Sequence, residues 1–174
     1  LHDEPDIDTA RLGAMGYSRG GVAVLGAAQR VLALPTLNAQ PSLRAVVAGW
    51  PWCGYQFAEP DTGDTAVRLA VADRDNWASP LQSQAYAALM RAHGCRSSLR
   101  LFEDALHGFG YGVPVKPFPD AMVALDAPIV YFDRDGVPRD PWTGERQPDW
   151  DDVAIVQRLA PFIGRGVTVG SKDG

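Results

Sequence analysis

The chain has 174 residues, enough for one ordinary domain with its own core rather than clearly two. Hydrophobic residues make up 46% and charged residues 21%, the balance of a globular chain and not of a disordered one. The 16 basic and 21 acidic side chains leave a formal charge of −5, which argues against nucleic acid or an anionic membrane surface as the main partner.

In chain order, residues 1–11 are polar and acidic and read as a connector. It opens on Leu1 rather than Met, as expected of a start that has been cut, processed or left out. No charged-then-apolar leader opens it, and no apolar run anywhere reaches the roughly 20 residues of a membrane span, so a membrane is not an expected partner. The compartment stays open. Leu12–Gly16 is a short apolar run closed by a turn signal, as in a buried strand. Small and aliphatic residues then recur at helical spacing from Arg19 to Ala33 (Val22, Val24, Leu25, Ala28, Val31, Leu32), and Pro35 marks the far limit. Arg44–Gly49 and Ala66–Val71 are two further apolar strands. Pro80–His93 reads as a helix with Pro in its first turn and Gly94 after its end. Ser98–Phe102 is a fourth strand.

Residues 113–150 hold seven of the 14 prolines, with turn signals at Asp135-Gly136 and Thr143-Gly144. They read as a long excursion with room for a hairpin, inside a single domain spanning 1–174. Asp151–Ile163 closes the pattern as an amphipathic helix with Val153, Ile155, Val156, Leu159 and Phe162 on one stripe. Strands alternating with helices predict an α/β layered fold with a parallel sheet of about four strands, covered on both faces because the strands carry few polar residues. Two cysteines, Cys53 and Cys95, read as separate buried thiols, with a single bridge as the alternative.

The sharpest motif is Gly16-Tyr17-Ser18-Arg19-Gly20, a G-x-S-x-G placed after a strand and before a helix. A nucleophilic hydroxyl needs such a turn, which lifts it above the sheet edge on a strained backbone. Small residues two before and two after Ser18 would let strand and helix close up. The backbone N–H of Arg19, at the helix start, could then face a developing oxyanion. The alternative is a plain Gly-rich turn whose serine caps the helix. The glycines do not form G-x-G-x-x-G and no lysine stands in Walker spacing, so neither a dinucleotide nor a nucleoside triphosphate is expected.

A serine needs a base, and the base needs an orienting acid. His2 lies in the terminal connector. His93 lies at a helix end, where its charge suits the helix dipole. His107 follows the fourth strand, at the sheet edge that carries Ser18, and is the candidate base. The acid belongs between serine and histidine in chain order, after the third strand: Asp75, with Asp73 as its rival. Tyr17, Trp50, Trp52 and Trp77 fall at the same edge and are candidates for an apolar substrate pocket, or for packing under loops. Asp133-Arg134-Asp135-Gly136 lacks the remaining ligands of a calcium loop and reads as a turn. Three separated histidines and two cysteines make no metal site, and no cofactor is expected.

These motifs resemble the dienelactone hydrolase family of the α/β-hydrolase fold. Three segments carry the likeness: Leu12 to Gly21, Ala72-Asp73-Arg74-Asp75-Asn76-Trp77 with Pro80 following, and Leu106-His107-Gly108-Phe109. Ser18 stands where the best-known members carry cysteine, so the chain looks more like the serine-bearing esterase branch. The resemblance implies Ser18 as nucleophile, Asp75 as orienting acid, His107 as base, and a small ester or lactone as substrate. It also implies about four strands before the elbow, including a loop that gives a second oxyanion donor. Nothing before Leu12 can supply them, so the chain is expected to be a partial α/β-hydrolase fold, its N-terminal strands missing. Two expectations follow. One is a poor enzyme by itself that needs a missing N-terminal segment or a second chain. The other is a non-catalytic scaffold that binds a partner through its open sheet edge.

Overall fold

The structure, a computed structural model, describes residues 4–30 and 43–171. His2, Val31, Leu32 and Pro35 lie outside the described residues. A single 3₁₀ turn, Thr9–Arg11, precedes the first strand and is capped by the Asp8 carboxylate on the Ala10 N–H.

Four strands form a parallel sheet in the order β1 (Gly13–Tyr17), β2 (Ala45–Gly49), β4 (Ala66–Ala72) and β5 (Ser97–Phe102). All three pairings are parallel. Parallel neighbours require crossovers. Helix α2 (Pro80–Ala92) makes the one from β4 to β5, and α1 (Arg19–Ala27) follows β1. Helix α2 starts at the proline predicted to start it, since Pro at the first position loses no hydrogen bond. His93 and Gly94 end it, the latter at φ 80°. Leu25 of α1 and Tyr86 and Met90 of α2 join Val46, Ala48, Val67, Leu69 and Val71 in one apolar cluster.

Both described helices therefore lie on one face, where a sheet covered on both was expected. Met15, Val47, Arg68 and Ser98 stand in register across the opposite face. No described helix covers them. Met15 is 60% exposed on the edge strand, and Arg68 reaches across to the Ser98 hydroxyl at 2.9 Å.

The Pro-rich excursion carries more order than its composition suggested. Strand β6 (Lys116–Val123) pairs antiparallel with β8 (Gly164–Val169), and β7 (Val130–Phe132) pairs parallel with β3 (Tyr55–Phe57). Strand β6 holds Pro117 and Pro119, and its register shifts between Phe118 and Met122. Prolines are tolerated there because β6 is an edge with a bulge. The Asp133–Gly136 and Asp140–Gly144 turns both form, with Gly136 at φ 75° and Gly144 at φ 74°. The Asp133 carboxylate accepts from the Asp135 and Val137 N–H groups and pairs with Arg146. Asp140 accepts from Trp142 and Thr143 and pairs with Arg158.

The closing helix α3 spans Asp152–Leu159, short of its predicted end at Ile163; a 3₁₀ turn at Ala160–Phe162 takes over where Pro161 has no N–H to continue the ladder. Of the five-residue stripe only Ile155 and Leu159 are buried, in a second cluster with Ala127 and Val130. Val153 is 62% exposed, because the surface α3 covers is narrow.

Candidate active site

The end of β1 sets the site. Ser18 sits between the last residue of β1 and the first of α1, at φ 52° and ψ −117°. For a residue with a Cβ this left-handed conformation costs on the order of 1–3 kcal/mol and persists only where neighbours enforce it. One such neighbour is Gly49, whose carbonyl accepts the Ser18 N–H at 2.9 Å. The other is close packing of the turn: a Cβ on Gly16 would run into the backbone carbonyl of Gly20. A Cβ on Gly21 would lie 3.0 Å from the Gly49 oxygen, whereas one on Gly20 would meet nothing within 4 Å. The small residues that the turn requires are thus Gly16 and Gly21; Gly20 contributes its backbone.

The Ser18 hydroxyl makes no capping bond to α1. Its Oγ lies 3.1 Å from His107 Nε2, and His107 Nδ1 lies 2.8 Å from Asp75 Oδ2. Asp75 and His107 are 5% and 6% exposed. The other Asp75 oxygen accepts the Trp77 and Ala78 N–H groups, each at 2.8 Å. An ionised carboxylate can only accept, so it places the proton on Nδ1 and leaves Nε2 as an acceptor for the hydroxyl. Asp73 turns elsewhere: its carboxylate accepts the Ala105 N–H at 3.1 Å, while Arg74 pairs with Asp104 at 2.7 Å. The structure therefore joins Ser18, His107 and Asp75 in one hydrogen-bonded chain across 89 and 32 residues of sequence separation. His93 caps α2, away from this chain. Arg19 is the first residue of α1, so its N–H has no acceptor within the helix.

The strands that sequence patterning missed hold these loops in place. The Asn76 side chain accepts the Thr168 N–H of β8 at 3.0 Å, and the Trp77 indole donates to the Met122 carbonyl of β6 at 3.0 Å. The Gly170 N–H donates to the His107 carbonyl at 2.9 Å. The β6–β8 ribbon thus ties down both the acid loop and the histidine loop.

Ser18 and His107 open into a cavity of about 650 Å³. Trp52 and Trp77 line it, as the sequence suggested, and Trp77 lies 4.9 Å from the His107 ring. Tyr17 and Trp50, the other two pocket candidates, do not. They stack on each other at 4.9 Å, and Trp50 packs edge-on against Phe109 at 4.7 Å and against His107 at 6.2 Å. Trp50 thus backs the imidazole, and Tyr17 backs Trp50. Phe118, Ala121 and Met122 of β6 and Val156 and Leu159 of α3 form another part of the cavity wall, with Arg19 and Asp120 also in the lining. A second cavity, about 500 Å³, lies behind Trp52 and Tyr55 and includes Cys53. Burial pushes the Cys53 thiol up to about 12, and Cys53 and Cys95 are unbonded to each other. Among the described residues no group of histidine, cysteine, aspartate and glutamate side chains could hold a metal ion.

A parallel sheet, a strand–serine–helix turn, and an acid and a histidine following β4 and β5 in that order make the α/β-hydrolase fold, from the strand before Ser18 onward. No protein-family model matches the chain, and no curated protein matches it significantly. Among solved structures it is similar to the carboxylesterase Cest-2923 from Lactobacillus plantarum WCFS1, at 21% identity and TM-score 0.45 over 59% of this chain and 47% of that one. It is similar to a thermophilic esterase, Est2, from the Planctomycetes species Thermogutta terrifontis, at 19% identity and TM-score 0.48 over 61% and 50%. The same esterase phosphorylated by paraoxon aligns over 89% of this chain and 52% of that one, at 15% identity and TM-score 0.47. The chain spans about half the length of these structures.

Proposed function

We propose that the chain carries the acyl-transfer machinery of a serine hydrolase that cleaves carboxylic esters or lactones. The observation that carries this reading is the placement of His107 between Ser18 Oγ and Asp75 Oδ2, at 3.1 and 2.8 Å. As Ser18 Oγ bonds to the substrate carbonyl carbon, its proton passes to His107 Nε2 and charge builds on the carbonyl oxygen. The Arg19 N–H, at the positive end of α1, is one donor to that oxyanion. Collapse of the intermediate breaks the bond to the alcohol oxygen, which leaves with the proton from Nε2. Water then repeats the sequence on the acyl-enzyme, with His107 as base, and releases the acid. Asp75 keeps the imidazole in the required tautomer and stabilises the imidazolium.

The dienelactone hydrolase-like reading, with a ring ester as substrate, rests on the three sequence motifs. The test is hydrolysis of p-nitrophenyl butyrate and of a simple lactone by the intact protein and by Ser18→Ala. Loss of roughly 10³-fold or more in Ser18→Ala is expected. Equal rates in the two proteins would remove Ser18 from the chemistry.

A further inference from the structure

We propose that the cavity above Ser18 is an acyl subsite for a long or bulky apolar acyl group, and that β6 and α3 set its depth. This rests on the serine-hydrolase reading and names its substrate class. The cavity's 650 Å³ lies in the range of sites that engulf a ligand of many heavy atoms, and an acetyl group would leave most of it empty. Its wall beyond Ser18 is largely apolar, aliphatic at Ala121, Met122, Val156 and Leu159 and aromatic at Trp52, Tyr55, Trp77 and Phe118. Positions 121 and 124 contribute only a methyl group each to that wall. Its two flanking charges, Arg19 and Asp120, are opposite in sign, so the lining favours neither an anionic nor a cationic substrate.

The order of chemical steps assigns the cavity to the acyl side. The alcohol must leave after the first step, while the acyl group stays bonded to Ser18 through both. Burial of each further methylene then raises kcat/KM by roughly fourfold until the cavity is full.

The experiment measures kcat/KM for p-nitrophenyl esters from acetate to decanoate, and for butyrate esters of alcohols of increasing length. The intact wild-type protein is compared with Ala121→Phe and with Val156→Phe. Val156 is 43% exposed, so that variant keeps its fold even if the buried Ala121→Phe does not. The wild-type rate is expected to climb by on the order of 10³-fold from acetate to octanoate, roughly fourfold for each added methylene, and to stay flat across the alcohols. Both variants should cut the octanoate-to-acetate ratio by about tenfold. Acetate preferred by wild type, a length dependence that follows the alcohol, or ratios unchanged in both variants would each overturn the proposal. Phosphonylation by p-nitrophenyl alkylphosphonates of increasing alkyl length reads the same subsite without turnover, and a rate independent of length also overturns it. Ser18 labelled without length dependence sinks this inference alone; no labelling of the folded protein sinks the hydrolase reading as well.

Discussion

Gly16→Ala and Gly20→Ala are one methyl group each, four residues apart in the same turn, and their effects should have opposite signs. At position 16 the new Cβ would collide with the Gly20 carbonyl carbon and oxygen, which are backbone and cannot rotate away. Strand β1 and helix α1 must separate, and overpacking of this kind costs about 1–3 kcal/mol. Ser18 rides on that separation, and a shift near 1 Å in a reacting group costs on the order of 10²-fold in rate. At position 20 the Cβ meets nothing within 4 Å, and the residue lies in the first turn of α1. Alanine there restricts the unfolded chain and should stabilise by about 0.4–1 kcal/mol. Urea midpoints and the rate of fluorophosphonate labelling measure both effects. Gly16→Ala should lower both readings, and Gly20→Ala should raise the midpoint and leave Ser18 reactive. A Gly16→Ala protein equal to wild type in both, or a destabilised Gly20→Ala, would refute the close-approach argument.

Further outcomes follow from individual contacts. Asp75→Asn should lower kcat by about 10⁴-fold, because an amide donor facing Nδ1 favours the wrong tautomer, whereas Asp73→Asn keeps an acceptor for the Ala105 N–H and should stay close to wild type. Trp77→Phe keeps the ring against His107 but removes the indole bond to Met122, and should lower stability by about 0.5–1.5 kcal/mol in chemical denaturation. Asp133 and Asp140 have pKa values below the ordinary one: burial pushes each up, but bonds from backbone N–H groups and from Arg146 or Arg158 outweigh it. Their stabilisation is therefore complete above the unfolded carboxylate value near 3.9 and is lost as pH falls through the lower folded values. Denaturation midpoints measured down to about pH 2 should fall less steeply in Asp140→Asn than in wild type.

Much of the site was readable from sequence because its chemistry sits where regular structure ends. Ser18, Asp75 and His107 each follow a strand of the parallel sheet, and strand ends are marked by turn residues. The choice between Asp75 and Asp73 was not readable. Both lie in one loop, and only the fold shows that the Ala105 N–H occupies Asp73. The pocket was half readable. Trp52 and Trp77 line the cavity, but Tyr17 and Trp50 are drawn into a stack behind the imidazole, with Trp50 held at φ 35°. The ribbon β6–β8 escaped because Pro117 and Pro119 break the strand pattern and Gly164 and Gly166 interrupt its partner. Its burial does not alternate either, since only Ala121 of β6 is buried. The α3 stripe failed for a related reason: periodicity identifies an amphipathic helix but not how much of its apolar face finds a partner.

The central claim is that the Ser18 hydroxyl is activated by His107, and covalent capture tests it most directly. The folded intact protein is treated with a fluorophosphonate and mapped by peptide mass spectrometry, beside Ser18→Ala and His107→Ala. A single adduct on the peptide containing Ser18, absent in Ser18→Ala and formed far more slowly in His107→Ala, is the expected result. No adduct, an adduct on another residue, or a rate indifferent to His107 would contradict the account.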